Sequence, residues 1–463
     1  MNKLAHRLLV VLLLLLCLAS PVFAQAEPSD AEIKSILQDR VEKAKKSPGI
    51  VVGLVSDKGT RIVSFGKPDQ TSATEVNAES IFEIGSVTKV FTSILLEDLA
   101  DRGKLKLDDP IARYLPATVK VPTRNGREIT FLDLATQTSG LPRMPDNFKP
   151  KDPNNPFADY TVEQLYEFLG HYTLTRDIGE KYEYSNVGVG LLGHVLTLVA
   201  GSDYETMVTS RIAKPLGMDN TGVKLTPAMQ AHLAKGHDAS GKQVMNWDLL
   251  SLAGAGALRS STNDMLKFVA ANMGLTKTAL YPTLEKTQQK RKETGVPDLS
   301  IAMGWHLLTR YGTEIVWHNG GTGGYHSFIG FNKAKHLGVV VLSNSTNDID
   351  DIGRHLLESQ YPLTKYIPPS ERKAITLDSK ILESYVGEYQ LAPNLAISIT
   401  KEDDKMFLQV TGQQKFPLFA ESETDFFLTI TDAQVTFVKD DKGQVDHLVL
   451  HQGGQNIPAK KVK

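Results

Sequence analysis

Four serines in the chain are followed three residues later by a lysine: Ser64 and Lys67, Ser86 and Lys89, Ser370 and Lys373, Ser398 and Lys401. A serine hydroxyl is a weak nucleophile until a neighbouring base takes its proton. On a helix, residues three apart share a face, so this spacing sets an amine beside a hydroxyl. A desolvated amine holds its proton less tightly and can act as that base. A helix N-terminus adds partial positive charge, which suits a developing oxyanion. The spacing alone is cheap, and local pattern separates the four. Ser64 runs off a hairpin strand, Ser370 lies in a Pro-containing linker, and Ser398 ends a strand where residues three apart point to opposite faces. Only Ser86 follows a Gly-ended strand, Phe82-Glu83-Ile84-Gly85, and opens a helix. Val87, Phe91, Ile94, Leu95 and Leu99 predict that helix as amphipathic, with Gly103 ending it.

Two further groups stand out. Tyr184-Ser185-Asn186 comes 98 residues after Ser86 and starts an apolar helix over 187–199. His318-Asn319-Gly320 comes 134 residues after Tyr184, at the end of a strand over 315–317, with Gly321, Gly323 and Gly324 following. Each has a bland alternative. Tyr184 can be a buried tyrosine with Asn186 as a helix cap, and His318 can end a strand whose glycines turn the chain. His-x-Gly recurs at His336 and His451.

The elements that must position these residues follow from pattern. Residues 50–55 and 60–65 read as strands joined by the Asp57-Lys58-Gly59 turn. Residues 105–300 mix helical periodicity with long polar loops, 144–156 the clearest. Strand character returns over 315–318, 325–331 and 337–342, the last a fully buried strand. This order predicts an α+β fold: one antiparallel sheet built from both ends of a domain, flanked by helices, with an all-helical lobe between. After the polar linker 366–375, short alternating runs at 395–400, 406–410, 426–430, 435–438 and 447–451 predict a small β-barrel or sandwich over 376–463. The main domain is then 25–365.

At the start, Arg7, the aliphatic run 8–18, Pro21 and Val22-Phe23-Ala24 read as a cleaved secretory signal over 1–24. A periplasmic or secreted location is expected, with no stable membrane span. Cys17, the only cysteine, falls inside that segment, which excludes disulfides and a cysteine nucleophile from the mature chain. The net charge of −2 gives no electrostatic case for nucleic acid. Lys290-Arg291-Lys292 reads as a solvated face. No His-Glu-x-x-His or paired-His spacing points to a metal, and no cofactor is expected. His194 reads as a core histidine and His326 as a candidate for the cleft.

Taken in order, Ser86-x-x-Lys89, Tyr184-x-Asn186 and His318-x-Gly320 form the signature of penicillin-recognising serine enzymes. Over residues 50–357 the chain resembles the class C β-lactamase family, with its DD-carboxypeptidase, D-aminopeptidase and esterase relatives. Residues 134–142, Pro215-Leu216-Gly217-Met218 and Ala255-Gly256-Ala257-Leu258 look like the family too. The C-terminal module resembles lipocalin-like β domains. The resemblance implies a hydrolase acylated at Ser86, with Lys89 and Tyr184 sharing the proton work and a cationic lysine holding Tyr184 as phenolate. It implies that Asn186 binds a substrate amide and that the N–H groups of Ser86 and Gly321 form an oxyanion hole at the edge Gly320 leaves open. His318 would face the substrate carboxylate or the tyrosine. Many family members have Lys at His318, and histidine supplies that charge only when protonated. The expected activity is β-lactam hydrolysis; the alternatives are DD-carboxypeptidase, D-aminopeptidase or small-ester hydrolysis. A reading of another class is a non-catalytic penicillin or peptidoglycan sensor, whose mark would be a lost Lys89 or Tyr184.

Overall fold

The computed structural model describes residues 27–364, 371–392, 395–430, 433–440, 442–452 and 455–462. The expected signal 1–24, most of the linker's first half and Ser370 lie outside the described residues.

Strands β1 (Gly49–Ser56) and β2 (Gly59–Gly66) form the expected hairpin. The others of the large sheet come late in the chain: β5 (Lys292–Glu293), β6 (Leu299–Ile301), β7 (His306–Arg310), β8 (Thr313–Gly321), β9 (His326–Asn332) and β10 (Leu337–Ser343). A short separate pair, β3 (Ile81–Glu83) and β4 (Arg259–Ser261), leads into the Ser86 region. The large sheet runs β2-β1-β10-β9-β8-β7-β6-β5, so its two chain-distant halves meet where β1 pairs with β10. Val51 faces Leu342 and Val52 faces Val341 in that antiparallel register. Both strands are apolar on both faces because both faces are covered.

The helices that matter here are α1 (Asp30–Gln38), α2 (Thr88–Asp101), α3 (Asn186–Ala200), α4 (Thr262–Met273) and α5 (Asp350–Leu357). Helix α4 lies on one face of the sheet, and it can approach closely because Gly53 and Gly338 carry no Cβ. Built at those positions, a Cβ would stand 2.8 Å from Leu266 and 2.4 Å from Val269. Ile33 and Leu37 of α1 and Ile352, Leu356 and Leu357 of α5 join Val52, Val339 and Val341 in the core of the other face.

Helix α2 departs from the expected amphipathic pattern. Every residue from Thr88 to Leu99 is buried. The apolar stripe read from sequence is one half of it, with Phe91 stacked 4.2 Å from Phe268. Part of the polar half, Lys89 and Thr92, faces the helical lobe and finds partners there. Thr92 donates to the Gly254 carbonyl at 2.7 Å and lies 2.7 Å from the Tyr204 hydroxyl. A helix sandwiched between sheet and lobe has no solvent face, so its polar stripe marks a buried site.

The C-terminal strands β11 (Gly387–Ala392), β12 (Leu395–Glu402), β13 (Lys405–Val410), β14 (Lys415–Ala420), β15 (Asp425–Phe427), β16 (Ala433–Lys439), β17 (Val445–Gln452) and β18 (Gln455–Lys461) close into an antiparallel barrel. Of the two expected forms, the barrel is the one observed. Side chains fill its interior: Tyr385 enters from the preceding helix and stacks 4.1 Å from Phe437. Strands β11, β14 and β18 were not legible in the sequence. Pro417 and Pro458 interrupt the latter two, and proline normally argues against a strand.

Phe91→Ala removes a fully buried ring from the helix that carries Lys89. The expected loss is about 3–5 kcal/mol of stability, read as a lowered urea midpoint.

Candidate active site

Glu83, at the end of β3, is buried against Arg259 at 3.2 Å and accepts from the Trp247 N–H at 2.9 Å. The chain then turns through Gly85 at φ +49 into a single tight turn, Gly85–Val87, before α2 begins. Ser86 is therefore half-buried at the head of α2, and Lys89, one turn on, is 1% exposed. The Lys89 amine contacts three oxygens: Ser86 Oγ at 2.9 Å, Asn186 Oδ1 at 2.9 Å and the Ala255 carbonyl at 2.6 Å. Burial, with a smaller contribution from the Arg143 charge, holds the Lys89 pKa well below its ordinary 10.5. A neutral amine has two donors and one lone pair. The amide and carbonyl oxygens can only accept, so they take the two N–H groups. The lone pair is left for the Ser86 hydroxyl to donate to, which is the arrangement a base for that serine requires.

Tyr184 stands over this pair. Lys89 Nζ is 4.9 Å and the Arg143 guanidinium carbon 5.3 Å from its ring centroid. The expectation of a phenolate held by a cationic lysine is corrected here. Burial pushes the Tyr184 pKa up to about 12, against smaller lowering effects from the Ser86 hydroxyl and Arg143. Burial shifts Lys89 the other way, so both groups are moved toward their uncharged forms.

His318, on β8, is 1% exposed, its ring 6.4 Å from that of Tyr184 and 5.0 Å from that of His306. Its Nδ1 lies 2.5 Å from the Asn319 carbonyl, which can only accept, so Nδ1 carries the proton. Burial first, then His306 and Lys89, holds the His318 pKa well below 6.5, and burial pushes His306 down to about 4. His306 in turn lies 2.9 Å from the Tyr182 hydroxyl.

The end of β8 is brought onto the Ser86 turn by glycines. A Cβ on Gly85 would stand 2.8 Å from the Gly321 nitrogen, and one on Gly320 would stand 2.0 Å from the Ile84 carbonyl oxygen. Ser327 Oγ donates to that same carbonyl at 2.8 Å. A Cβ on Gly321, by contrast, would meet nothing within 4 Å. Asn319 donates to Asp350 at 2.6 Å, and His326 contacts the same carboxylate at 3.1 Å. His326 thus braces the strand rather than lining the cleft. Its ligand atom lies within 4.8 Å of those of Asp348 and Asp350, a grouping the spacing in sequence did not suggest.

The fold brings Ser86, Lys89, Tyr184, Asn186, His318, Gly320 and Gly321 together from three distant segments. Ser185, not Asn186, caps α3: its hydroxyl donates to the Pro142 carbonyl at 2.6 Å and accepts from the Gly188 N–H at 2.8 Å. That leaves the Asn186 side chain for Lys89. Sequence reasoning missed Arg143 and the cleft wall of Phe157, Trp247 and Leu249. Arg143 directly follows the family-like stretch 134–142, the one signal that marked it. Trp305 and Trp317 are core, and His194 lies 2.7 Å from the Tyr166 hydroxyl in the helical lobe. Of the rival serine–lysine spacings, Ser398 donates to Glu388 while Lys401 pairs with Glu383.

A family model described as Beta-lactamase matches residues 33–360, and a Domain of unknown function (DUF3471) matches 371–461. The chain belongs to the Beta-lactamase family, and it is a serine hydrolase of β-lactamase type. It is 26% identical over 428 residues to Penicillin-binding protein 4* of Bacillus subtilis, covering 86% of this chain and 92% of that one. It is 26% identical over 346 residues to the D-alanyl-D-alanine-carboxypeptidase/endopeptidase AmpH of Escherichia coli, covering 71% and 89%. Among solved structures, a class C β-lactamase from Rhodobacter sphaeroides superposes with a TM-score of 0.61 at 23% identity, over 70% of this chain and 98% of that one. That likeness establishes the β-lactamase fold.

Gly320→Ala is expected to push β8 off the Ile84 carbonyl and abolish turnover, while Gly321→Ala keeps the fold. Circular dichroism and ester turnover on both variants check the contrast; equal activity of Gly320→Ala and the unaltered chain would refute it.

Proposed function

We propose that this chain is an exported hydrolase that forms an acyl-enzyme on Ser86 and hydrolyses β-lactams. The observation that carries the reading is the enclosed Lys89 amine 2.9 Å from Ser86 Oγ. In this reading Ser86 attacks the carbonyl carbon and Lys89 takes its proton. The N–H groups of Ser86 and Gly321 stabilise the developing oxyanion. Tyr184, a neutral phenol beside Ser86, passes a proton to the leaving nitrogen or oxygen. Lys89 then returns the proton it took to the Tyr184 phenolate, and the pair is reset. Water attacks the acyl carbon as Lys89 takes its proton, and Tyr184 protonates Ser86 Oγ as the acid leaves. Asn186 keeps its carbonyl on Lys89 and turns its N–H₂ to the substrate amide. Export rests on the signal-like segment 1–24; among the described residues no single helix is long and apolar enough to cross a membrane.

A second reading is hydrolysis of D-alanine-ended peptides. It is favoured by the neutral, buried His318 where many family members have lysine, and by the name of the AmpH relative.

Mass spectrometry after incubation with a penicillin tests the nucleophile. The expected result is a single adduct that Ser86→Ala lacks. An unaltered chain with neither adduct nor ester turnover would overturn the reading. Rates on a chromogenic cephalosporin and on a D-Ala-D-Ala peptide then rank the two substrates.

The pH dependence follows from the two shifts. Lys89 works as a base only when neutral, so activity is present above its lowered pKa and lost as pH falls through it. Tyr184 keeps its proton up to about 12. The kcat/KM profile should therefore rise to a plateau along an acid limb well below 10.5, with no alkaline limb from Tyr184 short of about 12. Lys89→Arg, cationic throughout, should lower the plateau by about 10²–10⁴-fold. An acid limb at the ordinary lysine value would contradict the assignment.

A further inference from the structure

Arg143 is the cation at the mouth of this site. Its guanidinium lies over the outer part of the Tyr184 environment, 5.3 Å from the ring centroid, and the residue is exposed. Its backbone is fastened at the head of α3. The N–H groups of Asn186 and Val187 both donate to the Arg143 carbonyl, at 2.9 and 3.4 Å, and Ser185 Oγ donates to the neighbouring Pro142 carbonyl. The anchor that places Asn186 therefore also places Arg143.

Among the described residues the Arg143 side chain makes no ion pair and no hydrogen bond to protein. The acidic groups near it in sequence or on the facing segment are taken: Asp146 contacts His171 at 2.8 Å, and Glu183 pairs with Arg176 at 3.3 Å. An arginine fixed at its backbone, stacked toward a catalytic ring and left without an acid is organised for an anion from outside. A guanidinium presents paired N–H donors that match a carboxylate.

The strand side of the cleft offers no competitor. His318 donates its only proton, on Nδ1, to the Asn319 carbonyl, so its Nε2 is a lone pair that repels a carboxylate. His306 is buried behind it. The remaining cleft wall, Phe157, Trp247, Leu249 and Thr322, offers an indole and a hydroxyl as polar groups but no cation.

We propose that Arg143 binds a carboxylate of the substrate, in place of the charge that His318 does not carry, and so sets a preference for anionic over neutral acyl donors. The proposal rests on the acyl-serine reading above and names the class of substrate for that same site. The carboxylate can belong to the acyl part or to the leaving group, and the two are distinguished by the probes.

The experiment compares three esters on the full chain and on its Arg143→Gln and Arg143→Lys variants. The esters are p-nitrophenyl acetate, which is neutral; mono-p-nitrophenyl glutarate, with the carboxylate on the acyl part; and 3-acetoxybenzoate, with the carboxylate on the leaving group. The readout is the ratio of kcat/KM for each anionic ester to that for the neutral one, at the pH plateau of each variant. The ratio cancels any shared loss that follows from the Arg143 charge acting on Lys89 and Tyr184. Arg143→Gln should lower the ratio for one anionic ester by about 10- to 100-fold, mainly through KM, and Arg143→Lys should restore part of it. Which ester responds tells which side of the scissile bond carries the anion. Unchanged ratios for both anionic esters would overturn the proposal while leaving the acyl-serine reading intact. If the unaltered chain shows no Ser86 adduct and no ester turnover, the acyl-serine reading fails and the proposal falls with it.

Discussion

One amine has to be enclosed for the rest of this structure to make sense. Lys89 is as buried as the core phenylalanines around it, and a charge there would cost several kcal/mol unless neutralised or fully partnered. The protein supplies three oxygens from three elements: Ser86 from the turn before α2, Asn186 from the start of α3, and the Ala255 carbonyl from the short helix Ala253–Gly256. The last two are positioned together, because Gly193 of α3 meets Gly254 with space for no Cβ: one built on Gly193 would stand 2.8 Å from the Gly254 Cα. A single glycine-on-glycine contact thus brings both the amide and the carbonyl to the amine.

Enclosure also sets the electrostatics. The same burial that lowers the pKa of Lys89 raises that of Tyr184 and lowers those of His318 and His306. Burial thus disfavours charge throughout the inner site, and the exposed Arg143 stands at its rim. Low polarity strengthens each hydrogen bond made inside. The glycines at 85 and 320 complete this by allowing the Ser86 turn and the end of β8 to touch backbone to backbone.

Much of this was legible in the chain. The β1–β2 hairpin, the late strands β8 to β10, the helix after Tyr184 and the β character of the C-terminal module all follow from local alternation or periodicity. So did the choice of Ser86 among four identical spacings, because strand-then-helix pattern is local. Local pattern misled where tertiary burial overrides it. The amphipathic reading of α2 implied a solvent-facing side, whereas every residue from Thr88 to Leu99 is buried. Strands β14 and β18 carry prolines and became strands through their neighbours in a closed barrel.

Residue types and their order by themselves determined that this is a serine–lysine hydrolase framework with a β module attached. Types suffice for that, since a nucleophile, an amine and a phenol are chemical identities. Tertiary structure alone decided which way burial shifts their pKa values, the capping of α3 by Ser185 and the place of Arg143 beside Tyr184. Those depend on distance and desolvation, and neither exists until segments some 40 to 230 residues apart pack together.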